Sequence, residues 1–178
     1  AAGASFFIGG QGAEMDGEAG DDTLWLGPAD TVSGGAGADS FHVIAAENTS
    51  GMVSGYGADD WTGSITDFQI GEDQLVINHA VAGSYDFGFP TVETSDALAT
   101  IDLSYNATED LTTVRIGEWT VARLNGDQTG ASIAAANSVG GAPAWLDQDC
   151  TPITETEAAA ADILLRAGSQ EGVFYETS

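Results

Sequence analysis

The sequence predicts an all-β chain: a short roll of parallel strands, capped by an antiparallel sheet, with an Ala-rich tail that holds one helix. Three observations carry this reading. Glycines recur with a period near nine over residues 9–42, each group followed by an acidic residue and a large apolar one. Apolar and polar residues alternate in short runs after residue 83. Thr154-Glu155-Thr156-Glu157 then forms a capping box ahead of an Ala-rich stretch. The expected units are residues 1–83 for the roll and its closing segment, 84–128 for the antiparallel cap, and 129–178 for the tail, with its helix at about 155–167.

The repeats come first. Of the 24 glycines, 16 fall in residues 1–83. Gly17-Glu18-Ala19-Gly20-Asp21-Asp22-Thr23-Leu24-Trp25 fits G-x-x-G-x-D-x-U-x, where U is large and apolar, and Gly34-Gly35-Ala36-Gly37-Ala38-Asp39-Ser40-Phe41-His42 fits the fuller G-G-x-G-x-D-x-U-x. Two degenerate copies lie before and between them: Gly9-Gly10-Gln11-Gly12-Ala13-Glu14-Met15, with Glu in the Asp slot, and Gly27-Pro28-Ala29-Asp30-Thr31-Val32, one residue short. In each unit the glycines turn the chain through angles that side chains resist, and x-U-x forms a short strand with U pointing inward. Met15, Leu24, Val32 and Phe41 are therefore candidate core residues. Two units complete one coil, so stacking places Asp22 with Asp39 on one edge and Glu14 with Asp30 on the other. Each edge gathers carboxylates and loop carbonyls, a hard-oxygen cage suited to Ca²⁺.

These residues resemble the nonapeptide repeats of the RTX family, the hemolysin-type calcium-binding β-roll. Ile65-Thr66-Asp67-Phe68-Gln69-Ile70-Gly71-Glu72-Asp73-Gln74-Leu75-Val76-Ile77 is similar to the D-F-x-x-G-x-D-x-U segment that often closes such rolls. The candidate metal-site residues are Gly17, Gly20, Asp22, Gly34, Gly35, Gly37 and Asp39, then Gly10, Gly12, Glu14, Gly27 and Asp30 on the other edge. Asp67 and Asp73 could join a capping site, although turn or solvated roles suit them, Glu72 and Asp59 better. Ala45–Gly63 departs from the family's compact spacing and carries its own Gly55-Tyr56-Gly57-Ala58-Asp59, which reads as an extra coil or a surface loop.

Further along, Ala99–Tyr105 and Thr112–Ile116 alternate, with a polar turn at Asn106–Asp110 between them, and Trp119–Leu124 follows. A roll continued by a small sandwich-like cap resembles the terminal domains of secreted RTX proteins. In the tail, the capping box, Ala158–Ala167 and a stop at Gly168 read as a helix.

Composition sets the partners. With 28 Asp and Glu against 3 Arg and no Lys, the net charge is -25. Such a chain repels phosphates and anionic headgroups, so nucleic acid and bare membranes are poor partners while divalent cations are natural ones. No run reaches the roughly 18 apolar residues of a membrane span. The 43% hydrophobic content supports a core. Cys150 is alone, so an internal disulfide is excluded. The opening residues do not form an intact signal peptide, and Ala1 reads as the start of a processed or excised chain.

Catalytic motifs are missing. Neither H-E-x-x-H nor G-x-S-x-G occurs, His42 should face outward as the residue after Phe41, and Asp147-Gln148-Asp149 lacks the glycine of an EF-hand loop. Trp25, Trp61, Trp119 and Trp145 could form a carbohydrate platform, or serve as packing residues. The expectation is a non-enzymatic, calcium-binding structural protein. The resemblance implies type I secretion from a bacterium and folding on Ca²⁺ outside the cell. Phe7 sits where a preceding repeat would place its inward residue, so an open first coil suggests head-to-tail assembly into an extracellular polymer. Two alternatives stay open: the secretion and folding module of a larger hydrolase or toxin, and a carbohydrate-binding adhesin module.

Overall fold

The computed structural model of the protein describes residues 3–9, 12–27, 29–46, 62–80, 101–116, 119–137, 144–149 and 151–168. Within these, the glycine repeats fold into two facing sheets joined by alternating loops. Strands β1 (Phe6–Ile8), β3 (Thr23–Leu26), β5 (Ser40–Ala46) and β7 (Gln74–Ala80) lie parallel in the first sheet. Strands β2 (Glu14–Asp16), β4 (Thr31–Ser33) and β6 (Ser64–Ile65) lie parallel in the second. The register advances by one coil of 17 residues, from Phe6 to Thr23, from Thr23 to Ser40 and from Glu14 to Thr31. It then advances by 34, from Ser40 to Gln74, which is where the 45–63 insertion lies. Residues 47–61, with the Gly55–Asp59 motif, are outside the described residues.

Both sheets continue beyond the repeats. After β8 (Ile101–Asn106) and β9 (Leu111–Ile116), strand β10 (Trp119–Asn125) pairs antiparallel with β9 and parallel with β6. The second sheet thus runs β2-β4-β6-β10-β9-β8. In the first sheet, β11 (Ile133–Asn137) and β14 (Ile163–Gly168) are parallel to each other, and β14 lies between β7 and β11. The hairpin strands β12 (Ala144–Asp147) and β13 (Pro152–Ile153) finish that edge. The same two sheets therefore run across the boundaries drawn at residues 83 and 128.

The core is a pair of columns. In the first sheet Phe7, Leu24, Phe41, Leu75, Ile163 and Ile133 are successive register partners, and in the second Met15, Val32, Ile65 and Leu124 are. All but the end members Phe7 and Met15 are buried, and those two pack against the cluster. The inward positions read from the repeats are thus the inward positions of the fold. A second small cluster joins Ala134, Ala158, Ala161 and Leu164 on the outer face of the first sheet, under Trp145 and Ile153.

The tail departs from expectation. Helix α1 (Glu155–Ala159) has its capping box, with Thr154 Oγ1 accepting from Glu157 N and Glu157 reaching back to Thr154 N. It stops after five residues, and 163–167, expected as helix, lies in the strand β14. The reason is burial on both faces: Ile163 and Leu165 point into the core, while Leu164 is covered by the outer cluster. A strand covered on both sides shows a continuous apolar run, which periodicity cannot separate from a helix.

Candidate metal centre

Loops leading from the second sheet to the first form one edge of the roll: residues 17–22, 34–39 and 66–73. Each ends in an aspartate two residues before an inward apolar residue, and the stack aligns them. Ser5 N donates to Asp22 Oδ1 at 2.6 Å, Asp22 N to Asp39 Oδ1 at 2.8 Å, and Asp39 N to Asp73 Oδ1 at 3.0 Å. Each carboxylate is fastened to the coil before its own. Asp22, Asp39 and Asp73 are all buried.

The remaining oxygens behave differently. Asp73 Oδ2 accepts from Gln69 N at 2.9 Å, and Asp67 holds the start of the preceding loop by accepting from Gly34 N, Gly35 N and Ser33 Oγ. Asp22 Oδ2 is buried and has no hydrogen-bond partner. It faces a cradle that glycine leaves open. A Cβ on Gly17 would stand 2.6 Å from that oxygen and collide with the carbonyl oxygen of Gly34, and a Cβ on Gly34 would collide with Asp39 Oδ2. The consensus glycines here clear space beside carboxylate and carbonyl oxygens. Gly35, at φ +95°, is required for a further reason, since a Cβ there would strike Glu18 O. In the preceding coil Glu18 takes the equivalent place at φ 71°, a strained value for a residue with a side chain.

Electrostatics mark the same place. Burial raises the Asp39 carboxyl from 3.8 to about 6, with the charges of Asp73, Asp22 and Asp67 adding to it. Asp73 is raised for the same leading reason. These carboxylates are short of positive charge. Among the described residues no three His, Cys, Asp or Glu side chains gather into a metal-binding group. A cation here would therefore draw on Asp22 Oδ2, Asp39 Oδ2 and loop carbonyls such as Gly34 O. That donor set is all hard oxygen, which fits Ca²⁺ and not a thiolate- or imidazole-seeking metal.

The opposite edge is arranged otherwise. Asp30 is buried and both its oxygens are engaged, Oδ1 by Ala13 N and Oδ2 by Gly27 N, each at 2.7 Å. The loop one residue short lets Asp30 close its own turn. Glu14 does not align with Asp30: it pairs with Thr31 and is exposed, while Ala13 takes the aligned place. Glu14 stands one residue before the inward Met15, whereas Asp30 stands two before Val32, so it falls one position too late. Gly12 lies in open space at φ +69°, and a Cβ on Gly9 would collide with Asp30 Oδ2. Gly10 is outside the described residues.

Asp162 and Ser132 at the first edge were not foreseen. Asp162 is buried; its Oδ1 accepts from Gly71 N, and its Oδ2 from Ser132 N and Ser132 Oγ, all at 2.7 Å. Its signal was an aspartate directly before Ile163-Leu164-Leu165, much as Asp73 precedes Leu75-Val76-Ile77. His42 lies on the outer face as expected, but stacked on Trp25 at 4.5 Å between ring centroids. Burial and the Arg166 charge lower it from 6.5 to about 4. Trp25 and Trp145 sit on β3 and β12, five strand steps or about 24 Å apart, so they do not share one platform. Trp61, Cys150 and the side chains of Trp119 and His79 are outside the described residues.

No family model matches this chain, and no curated protein matches it. Among solved structures, the solution structure of a subunit of the Azotobacter vinelandii mannuronan C5-epimerase is similar to it. The identity is 23%, the TM-score is 0.45, and the match covers 74% of this chain and 70% of that one.

Proposed function

We propose that this chain is a non-enzymatic, calcium-dependent β-roll module of a secreted protein, stable outside the cell where Ca²⁺ is abundant. The observation that carries the reading is Asp22 Oδ2, a buried carboxylate oxygen with no partner, facing the cradle between the 17–22 and 34–39 loops. Leaving a buried carboxylate oxygen without a partner is costly, which supports a counter-charge at that point. Asp22 and Asp39 would hold the ion, with Gly34 O beside them. Bound there, Ca²⁺ supplies positive charge and fills coordination with carbonyl oxygens. The chain's own part is to align these oxygens, and it can do so only when coils are stacked. Ion affinity and folding are therefore linked. Asp67 and Asp73 act as turn holders in this reading, as does Asp30.

Far-UV circular dichroism of chelated protein during Ca²⁺ addition tests it. The expected result is a large gain of β signal, abolished in the double variant Asp22→Ala with Asp39→Ala. Equal β signal with and without chelator refutes the reading.

A second reading adds assembly, and β1 favours it. Among the described residues that strand has a partner on one side only, and Phe6 on it is 56% exposed. An uncovered parallel edge with an exposed aromatic residue invites another strand, whether from a second copy or from another segment. Light scattering with and without chelator, on the chain and on Phe6→Lys, checks this. Ca²⁺-dependent growth that the substitution suppresses supports it, and a constant monomer at high concentration overturns it.

A further inference from the structure

We propose that Asp67 and Asp162 couple the candidate calcium edge to the docking of β14, so that the C-terminal strand closes the first sheet only when the 34–39 loop is ordered. This rests on the calcium reading above. The element with two states is β14, docked or undocked. It arrives late in the chain and enters between β7 and β11, strands already present before it. Its entry is fixed at one end by Asp162, which takes Gly71 N on one oxygen and Ser132 N and Oγ on the other. Asp162 N returns a bond to Ser132 Oγ at 3.0 Å. Without Gly71 in place, that carboxylate loses its only link to the 66–73 loop.

Gly71 is placed by the 66–73 loop, which is itself held at two points by the loop before it. Asp67 grips the start of the 34–39 loop through Gly34 N, Gly35 N and Ser33 Oγ. Asp73 grips its end through Asp39 N, while also holding Gln69 N. Hydrogen bonds at either end, joined by the backbone of the 66–73 loop between Asp67 and Gly71, thus connect the loop carrying Gly34 and Asp39 to Asp162 and Ser132. Among the described residues, no hydrogen bond joins Asp162 to the 17–39 region. Both its oxygens are already engaged, so it is a positioning residue and not a ligand.

Linkage makes the inference testable from either end. If Ca²⁺ at the first edge favours docked β14 by some factor, docking must raise Ca²⁺ affinity by the same factor, so weakening the β14 anchor must weaken Ca²⁺ binding, by at most that factor. Hydrogen exchange of the full chain, titrated with Ca²⁺, reads both regions: 34–46 for the edge and 163–168 for the strand. In the wild-type chain, Ca²⁺ should protect both. Asp162→Asn should lower protection at 163–168 and raise the Ca²⁺ midpoint read at 34–46 roughly tenfold. Asp67→Asn should do likewise.

The double variant separates coupling from plain loss of stability. On a shared path the second substitution adds little to the first, whereas independent sites add in full. Val114→Ala, a core truncation in the second sheet away from the path, should add fully to either. If Asp162→Asn does not fold, Ser132→Ala removes part of the same anchor and should give a smaller shift of the same sign. The proposal is overturned if Asp162→Asn loses protection at 163–168 with an unchanged midpoint at 34–46, or if the Asp67 and Asp162 effects add as the Val114 effect does. Absence of Ca²⁺ protection at 34–46 in the wild-type chain overturns the calcium reading itself, and this one with it.

Discussion

Asp22→Asn changes one buried atom and should reverse the sign of its effect with calcium. Asparagine keeps the Oδ1 that accepts Ser5 N at 2.6 Å and replaces the unpartnered Oδ2 with a neutral amide beside Gly34 O. Removing an unpaired buried charge is worth about 2 kcal/mol, so in chelator the variant should be more stable by that amount, a factor of roughly 30 in the folded ratio. Calcium stabilises the wild-type chain by RT ln(1 + [Ca²⁺]/Kd), about 2.7 kcal/mol at 100 Kd and about 4.1 at 1,000 Kd. A variant that no longer ligates the ion gains none of this. The two stability curves should therefore cross where calcium contributes about 2 kcal/mol, near ~30 times Kd. Urea unfolding followed by circular dichroism, across a series of buffered free Ca²⁺ levels, gives both curves. Asp30→Asn is the control, because both Asp30 oxygens hold N–H groups and asparagine must break one. It should destabilise by about 1 to 2 kcal/mol with or without calcium. Parallel curves for Asp22→Asn, or loss of stability in chelator, would show that the Oδ2 site is not a cation site.

Gly17→Ala should cost about 1 to 3 kcal/mol and remove the calcium response, since its Cβ enters the cradle at 2.6 Å from Asp22 Oδ2. Gly12→Ala meets open space, so only its φ of +69° matters; it should cost about 1 kcal/mol and leave the response intact in thermal melts with and without calcium. His42 gives a pH signature. Its folded pKa, about 4, lies below the unfolded 6.5, so the neutral ring's contribution is full above pH 6.5 and is lost as pH falls toward 4. His42→Gln should flatten that fall by roughly 2 kcal/mol after allowing for the ring's partial exposure, measured as the difference in urea stability between the two chains at saturating calcium. An unchanged pH profile would mean that the ring titrates freely.

The roll was legible because its repeat writes two constraints into one period: glycine where a Cβ would strike oxygen, and an apolar residue where the strand turns inward. Leu24, Val32 and Phe41 follow directly from that period, and each is fully buried. What could not be read was where later strands dock. The alternation in 112–116 identifies a strand but not that its neighbour β10 pairs in parallel with β6, because pairing across 60 residues leaves no local trace. Residues 163–167 were misread for a related reason: the outer cluster that covers Leu164 is built from Trp145, Ile153 and Ala158, which only the fold brings together. At the site, the aspartates were visible but their occupancy was not. Whether an oxygen is free depends on which N–H groups point at it, and one missing residue in the Gly27–Asp30 loop turns Asp30 from an open carboxylate into a closed turn.

That occupancy sorts the buried and half-buried aspartates of the roll by a single quantity, the hydrogen bonds each receives. Asp67 and Asp162 receive three, from Ser33, Gly34 and Gly35 in one case and from Gly71 and Ser132 in the other. Asp30 and Asp73 receive two. Asp22 and Asp39 receive one each, from Ser5 N and Asp22 N. Backbone N–H groups are the main positive ends this edge has, since the whole chain carries 3 Arg against 28 acidic residues. Where three donors converge, a carboxylate is neutralised by the fold and works as a clasp. Where only one reaches it, less of the negative charge is balanced by the fold; at Asp39, burial first and then the charges of Asp73, Asp22 and Asp67 raise the carboxyl to about 6. The two aspartates with the fewest donors are also the two inside the best-matched glycine repeats, whose loops keep side chains out of the space beside them. A tight loop that excludes both side chains and further N–H groups can balance its carboxylates by taking up a proton, toward which the raised Asp39 carboxyl already leans, or, as proposed above, by taking a small hard cation into that space.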